Sequence, residues 1–171
     1  MQFEDLVNKR QSTRKYKHTD IADEQILEIC EVINKAPSAG NLQDYEIVAV
    51  KDSAKRQQLA KLCFNQAFIA SAPVVFVFLS NPSRSRAVYG DLADSLFACQ
   101  DATIACAYAE LTVTNMGYAA CWIGGGDDDG IHRLLDLPTE WKTVAVLCVG
   151  IADESPERTT RREVSSIYKI I

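Results

Sequence analysis

Two short basic segments have the composition of an anion-binding site. Residues 9–17 contain five lysines and arginines and residues 158–162 contain three more, although the 171-residue chain has a net charge of −5. Ser12 lies between Arg10 and Arg14. Guanidinium groups match phosphate oxygens in bidentate geometry, and a hydroxyl adds one more donor. Most runs of charge are solvated surface, so this pattern leaves open both a phosphate site and an ordinary charged face.

A second group of residues, 36–43, combines small side chains with two primary amides. Small residues let a backbone come close to a flat molecule, and the amides of Asn41 and Gln43 can hydrogen-bond it. Three glycines at 124–126 follow an apolar segment and would expose backbone N–H groups in the same way. A flexible loop is the alternative for the glycines. A calcium loop fits less well, because "DDDG" lacks the alternating carboxylate spacing of an EF-hand.

Composition and motifs argue against several classes of protein. The acidic balance disfavours a nucleic-acid partner. The absence of a P-loop and of a G-x-G-x-x-G motif after the first strand argues against nucleoside-triphosphate binding and against a Rossmann dinucleotide site. His18 and His132 are the only histidines, so no zinc site is expected. Six cysteines without a C-x-x-C pair indicate reduced core thiols in a cytoplasmic protein. No segment resembles a membrane span or a signal peptide, so no membrane partner is expected.

Hydrophobic periodicity predicts a single domain of alternating helices and strands, which indicates a sheet with helices on both faces. Helices are predicted over residues 3–10, 23–35, 53–63 (with Ser53 as N-cap), 91–116 and 131–136. Strands are predicted over residues 46–50, 73–80, 119–123 and 143–152. Loops are predicted over 81–90 and 124–130, and a polar tail over 153–171.

The segment 97–116 is apolar or small on almost every face. A helix of this kind is buried on most sides. In a chain of this length, such burial predicts a partner subunit. We therefore expect a homodimer with this helix near the interface; a central helix in a monomer is the alternative.

Four motifs together resemble the nitroreductase family of FMN-dependent oxidoreductases. They are "RQSTRKY" at 10–16, "APSAGNLQ" at 36–43, "QDATIACAYAELTVTNMGYAACWIGG" at 100–125, and an arginine-bearing tail. The resemblance implies an α+β three-layer sandwich in which a mostly antiparallel sheet is flanked by helices. It also implies an obligate homodimer with two FMN molecules at the interface. Residues 1–171 would then be one FMN-binding domain, with residues 153–171 reaching the cofactor or the partner subunit.

The resemblance also implies which residues contact the cofactor. The flavin phosphate would be held by a turn near the N-terminus and by the tail: Arg10, Ser12, Arg14 and Arg161, with Arg162 or Arg158 as alternatives to Arg161. Gln11 in the same turn would contribute backbone or ring contacts. The other subunit would lay small residues along the flavin: Pro37, Ser38, Ala39 and Asn41. The ring or ribityl chain would meet backbone groups and one amide: Ile123, Gly124, Gly125 and Gln66, with Asn65 as an alternative to Gln66.

The implied activity is hydride transfer from NADH or NADPH through the flavin N5 to a small electron-poor acceptor, such as a nitroaromatic or quinone, in ping-pong order. No side chain is assigned as catalytic, because the flavin carries the chemistry. Asp44 and Tyr45 depart from the proline and tryptophan common in the family, and the short chain suggests an open site. Three alternatives stay open: a relative that dehalogenates or fragments flavin, a non-catalytic FMN carrier or redox sensor, and a phosphate-ligand binder without flavin.

Overall fold

The computed structural model describes residues 2–171, so Met1, the first residue of the predicted domain, lies outside the described residues. The helices are α1 Phe3–Lys9, α2 Asp23–Ile33, α3 Ser53–Leu62, α4 Phe68–Ser71, α5 Arg86–Tyr89, α6 Ala98–Asn115 and α7 Asp128–Leu135. The strands are β1 Tyr45–Val50, β2 Val74–Ser80, β3 Ala119–Ile123 and β4 Lys142–Gly150. Within residues 2–171, no helix has the length and apolar character needed to cross a membrane.

The four strands form one antiparallel sheet in the order β1–β2–β4–β3. Every residue of the central strand β2 is buried. A strand buried along its whole length must have both faces of the sheet covered, which explains its uninterrupted apolar sequence. The expected mostly antiparallel α+β architecture is therefore confirmed, whereas the apolar runs alone did not distinguish antiparallel from parallel strands.

Helices pack on both faces of this sheet and make three layers. On one face, Val75 and Val77 of β2 pack with buried residues of α3, α4 and α7. On the other face, Phe76 and Phe78 of β2 pack with buried residues of α2 and α6. The alternation along β2 divides the core into these two halves, because successive strand side chains point to opposite faces.

Several predicted boundaries are wrong, for local reasons. Asp52 caps α3, since its Oδ1 accepts a hydrogen bond from the Lys55 N–H at 2.7 Å; Ser53 is already helical. The predicted loop 124–130 ends early, because Asp127 caps α7 by accepting from the Gly130 N–H at 3.1 Å. The short helices α4 and α5 were not predicted, and α5 lies inside the predicted loop 81–90. Four residues are too few to display a helical period.

The long helix differs from its prediction at its start and in the exposure of one cysteine. Residues 93–97 form a π-helical turn, and α6 follows it. Gly117 ends the helix as predicted, with φ +89° and a Tyr118 N–H bond to the Val113 carbonyl at 2.9 Å. One face of α6 is exposed in the single chain, whereas its other faces are buried or half-buried, as predicted. Cys99 lies on that face and is not a core thiol.

Candidate functional site

The N-terminal basic segment is held against the edge of the sheet. Thr13 is 3% exposed, and its N–H donates to the carbonyl of Ala120 in β3 at 2.9 Å. The Lys17 N–H donates to the Ile151 carbonyl just after β4 at 2.8 Å. These backbone bonds fix the segment 10–17 in an extended form, in which Thr13 and Tyr16 are buried and the other side chains are exposed or half-buried.

The C-terminal tail returns to the same place. Arg158 Nη2 donates to the Asn8 carbonyl at 2.6 Å, and Arg161 Nη1 donates to Thr159 Oγ1 at 2.8 Å. The two basic segments thus line one cleft of about 710 Å³, here called the basic cleft. Its lining residues are Val7, Asn8, Arg10, Gln11, Ser12, Arg14, Pro156, Glu157, Arg158, Thr159 and Arg161. Arg162 does not line it.

One carboxylate beside the basic cleft was missed by the sequence analysis. Glu110 on α6 places Oε1 3.6 Å from Arg10 Nη1, and the two side chains are 15% and 22% exposed respectively. Burial raises the pKa of Glu110, and the nearby Arg10 guanidinium offsets part of that rise. The available signal was a single glutamate within the otherwise apolar or small residues 97–116.

Arg14 connects the basic cleft to the turn between α3 and α4. Its guanidinium carbon lies 5.8 Å from the centre of the Phe68 ring, within the range of a cation–π interaction. Phe68 begins α4, and Gln66 lies in the turn just before it. Gln66 Nε2 donates to the Cys63 carbonyl at 3.0 Å, which holds the amide in that turn. Gln66 therefore lies two residues from the ring that Arg14 contacts, but it does not line the basic cleft.

The glycine loop after β3 packs against the same turn. The Asp127 N–H donates to the Leu62 carbonyl at 2.9 Å, and a Cβ on Gly126 would lie 2.6 Å from that carbonyl oxygen. Gly124 and Gly125 are different, because no heavy atom lies within 4 Å of the Cβ position of either. Gly124 is exposed to solvent, so its backbone is open to a flat ligand, whereas Gly125 is buried and only the space at its Cβ position is empty. The Ile123 side chain is in the core, so only its backbone is available.

The turn between α3 and α4 also contains two residues with unusual backbone angles. Phe64 has φ +60° and Asn65 has φ +56°. A bulky residue in this region is a true outlier, and such strain is concentrated at functional sites. The Phe64 side chain is nevertheless 72% exposed. No sequence pattern signals this conformation.

The small-residue segment lies elsewhere, against the start of α6. The Ala39 N–H donates to Asp101 Oδ1 at 2.9 Å, and the Asp44 N–H approaches Oδ2 at 3.4 Å. Asp101 is 2% exposed, and burial raises its pKa. The segment and α6 border a second cavity of about 640 Å³, here called the α6 groove. Its lining residues are Pro37, Ser38, Ala39, Ser95, Leu96, Phe97, Cys99, Gln100, Asp101, Thr103 and Ile104.

The α6 groove and the basic cleft share no lining residue within one chain. Asn41 lines neither cavity; it has φ +58°, and its carbonyl accepts from Gln43 Nε2 at 2.7 Å. Asp101 was missed by the sequence analysis, although it and Glu110 are the two carboxylates of α6. Its backbone contacts give it a structural role, because they shape the small-residue segment.

Asp44, one of the two departures noted in the sequence, is an unusual buried acid. It is 1% exposed, and within residues 2–171 neither carboxylate oxygen has a hydrogen-bond partner. Its carbonyl accepts from the Asn81 N–H at 3.0 Å. Burying a polar group without a partner is unfavourable. The departure from proline at this position therefore places an unpaired acid beneath the small-residue segment.

Comparisons with known proteins agree with this arrangement. The profile of the Nitroreductase family matches residues 7–151. The NADPH-flavin oxidoreductase of Vibrio harveyi is 33% identical over 153 residues, which cover 85% of this chain and 64% of that protein. The structure of the NADPH:FMN oxidoreductase from Vibrio harveyi complexed with NAD+ superposes with a TM-score of 0.88 and 28% identity. That superposition covers 98% of this chain and 76% of the other.

A third relative supports the fold over its full length. The nitroreductase family protein from Streptococcus pneumoniae TIGR4 superposes with a TM-score of 0.90 over 99% of this chain and 100% of that chain, at 21% identity. The chain spans only 64% of the length of the Vibrio relative, so the two proteins do not correspond over their whole lengths. The family profile nevertheless covers most of the residues that build the basic cleft, the glycine loop and the α6 groove. The chain belongs to the nitroreductase family.

Proposed function

We propose that two copies of this chain bind FMN and catalyse hydride transfer from NADH or NADPH to a small electron-poor acceptor. The observation that carries the proposal is the basic cleft, where Arg10, Ser12 and Arg14 meet Arg161 from the tail. The cleft holds about 710 Å³, which is ample for a phosphate group. The exposed backbone of Gly124, together with the empty space at the Cβ position of Gly125, supplies a surface for a flat ring.

At the phosphate end, the cleft offers charged donors of the right type. Guanidinium groups bind phosphate oxygens through charge-assisted, often bidentate hydrogen bonds. Each such bond contributes about 1.5–3 kcal/mol. Arg10 and Arg14 are the principal candidates, since Arg158 already donates to a backbone carbonyl. Arg161 is the tail residue we assign to the phosphate, because it lines the cleft and Arg162 does not.

At the ring end, the chain offers backbone groups and one side-chain amide. Gly124 and Gly125 have no Cβ, so a ring can lie directly on their peptide groups. N–H groups placed there stabilise negative charge that develops on a bound ligand. Gln66 is held in the turn that packs on this loop, and its amide is the side chain we assign to the ring or ribityl region.

When bound, FMN would supply the redox chemistry, which is the transfer of a hydride from a reduced nicotinamide to a nitroaromatic or quinone acceptor in ping-pong order. The residues of this chain bind the phosphate, orient the ring and stabilise charge. None of them needs to transfer a proton or to act as a nucleophile, so we assign no catalytic side chain.

The dimer is part of the proposal, because one chain cannot bring all assigned residues together. The small-residue segment lies beside the α6 groove, which shares no residue with the basic cleft. Leu96 and Thr103 expose part of that groove to solvent in the single chain. Packing α6 against its copy would cover these residues and bring Ser38 and Asn41 towards the flavin bound by the other chain.

The visible absorption spectrum of the purified protein tests the proposal, followed by stopped-flow mixing with NADH and NADPH. We expect a flavin spectrum that is bleached by at least one reduced nicotinamide and recovers on adding a quinone or nitroaromatic. A protein that binds added FMN but is bleached by neither donor would be a carrier instead. A protein that stays colourless with added FMN would be a phosphate-ligand binder.

A further inference from the structure

One carboxylate beside the basic cleft has no part in the proposed function. Glu110 Oε1 lies 3.6 Å from Arg10 Nη1, and Glu110 itself does not line the cleft. A phosphate in the cleft and the Glu110 carboxylate would therefore contact the same guanidinium from different sides. Both side chains of the pair are largely shielded from water, so neither charge is fully screened.

The ionisable groups around Glu110 come from three elements. Arg10, at the end of α1, is the charged group that lowers the pKa of Glu110, while burial raises it. The Cys106 thiol on α6 and the Cys121 thiol on β3 both have pKa values raised by burial and, to a smaller extent, by Glu110. Arg14 acts on Cys121 in the opposite direction. Arg10 is thus the cation that compensates the Glu110 carboxylate.

We propose that Glu110 is a positioning and specificity residue for the cofactor phosphate: it holds the Arg10 guanidinium as an internal counter-anion and competes with the phosphate for it. The inference rests on the proposed function, because the phosphate in question is that of FMN. Glu110 would oppose phosphate binding and at the same time orient Arg10, which favours phosphate binding.

The substitution Glu110→Gln should change the affinity for FMN. Repulsion between a carboxylate and a phosphate dianion is strong in a partly buried site, because the effective dielectric constant is lower than that of water. Glutamine has the same length as glutamate and keeps a carbonyl oxygen that accepts from Arg10. Glu110→Gln therefore removes the repulsion and retains the orientation. We expect FMN to bind about tenfold more tightly to this variant at neutral pH or above, and riboflavin to bind equally to both proteins.

The same competition couples phosphate binding to protonation. A nearby anion disfavours the charged form of a carboxyl group, so a phosphate in the cleft favours protonated Glu110. Where ligand-free Glu110 is charged, FMN binding should therefore take up part of a proton from the buffer. Riboflavin has no phosphate and should cause no uptake at this site.

The experiment is a fluorescence titration of FMN and riboflavin between about pH 5.5 and pH 8.5, with proton uptake measured by calorimetry in two buffers. Glu28→Gln is the matched control, because it removes the same charge from the exposed surface of α2. We expect tighter FMN binding and reduced proton uptake for Glu110→Gln alone. Thermal unfolding by circular dichroism establishes that the variants are folded.

Competition by sulfate distinguishes the protonation of Glu110 from that of the FMN phosphate. The second pKa of the phosphate, about 6, falls in the pH range of the titration. Sulfate stays a dianion throughout, so the pH dependence of its competition with FMN reports protein groups. We expect sulfate to compete more strongly as the pH falls in wild type and in Glu28→Gln. In Glu110→Gln this dependence should be flattened.

Weaker FMN binding to Glu110→Gln, or an unchanged pH profile of sulfate competition in that variant, would overturn the inference while leaving the proposed function intact. If the variant does not fold, a sulfate profile of the wild type that is independent of pH would overturn it equally. Absence of FMN binding to the wild type would overturn the proposed function and this inference together.

Discussion

The basic cleft and the α6 groove differ in how complete each one is within a single chain. The cleft joins residues 10–14 to residues 156–161, and its two sides are linked by the hydrogen bond from Arg158 Nη2 to the Asn8 carbonyl at 2.6 Å. The groove is formed by residues 37–39 and the start of α6, and one of its sides is open. One region is assembled by folding, and we infer that the other is completed by association.

This difference separates two kinds of contribution to cofactor binding. Charged hydrogen bonds at the cleft should act on the phosphate alone, so they should distinguish FMN from riboflavin. Contacts at the groove should act through the second subunit and should affect both flavins. The predictions below test this division in order of expected effect.

The largest effect should come from removing both arginines of the N-terminal turn. Arg10→Ala combined with Arg14→Ala removes two groups that line the basic cleft and should weaken FMN binding by about 3–6 kcal/mol. Lys15→Ala with Lys17→Ala is the matched control, because it removes the same charge from exposed residues of the same segment. Fluorescence titration with FMN and riboflavin measures the difference. Equal FMN affinity of the two double variants would reject the phosphate assignment.

The next effect concerns the α6 groove. Thr103 is exposed, and its Oγ1 bonds only to the Cys99 carbonyl of its own helix at 2.7 Å. Thr103→Arg should leave the chain folded, but would bury a charge in the proposed interface and weaken flavin binding by about 2–4 kcal/mol. Light scattering should show a monomer, whereas Gln57→Arg on the exposed side of α3 should behave as wild type. A Thr103→Arg monomer that retains flavin would show that the groove is not needed.

Two glycines of one loop should respond differently to the same substitution. Gly126→Ala would place a methyl group 2.6 Å from the Leu62 carbonyl oxygen and should lower the free energy of unfolding by about 1–3 kcal/mol. The methyl group of Gly124→Ala meets no protein atom within 4 Å, so this variant should change that free energy by less than about 0.5 kcal/mol. It should nevertheless weaken the binding of both FMN and riboflavin. Urea unfolding and flavin titration measure the two effects. Unchanged flavin binding by Gly124→Ala would show that the flavin ring does not lie on this loop.

The smallest effect should be a gain in stability. Phe64 has φ +60°, and asparagine accepts this conformation more readily than phenylalanine does. Because the Phe64 ring is 72% exposed, its removal loses little packing. Phe64→Asn should raise the free energy of unfolding by about 0.5–1 kcal/mol. Phe64→Leu, which keeps the strain, should give no gain, and equal stability of the two variants in urea would show that the turn is not strained.

Much of the site was predictable from local sequence patterns, but two carboxylates were not. The pair of arginines around Ser12, the small residues at 36–43 and the glycines at 124–126 each have a composition with a direct physical meaning. Glu110 and Asp101 carry no such pattern. Their roles depend on which backbone groups or guanidinium the folded chain places beside α6, and periodicity contains no information about those contacts.

The sequence by itself determined the four strands and the longer helices, because hydrophobic periodicity acts over a few neighbouring residues; it did not predict the four-residue helices α4 and α5. It also determined that two basic segments exist, since composition needs no fold. Only the tertiary structure decided that these segments meet, that Arg161 rather than Arg162 lines their cleft, and that β2 is antiparallel to β1 and β4. Such facts depend on pairings between residues far apart in the chain, and those pairings are set by how the whole core packs.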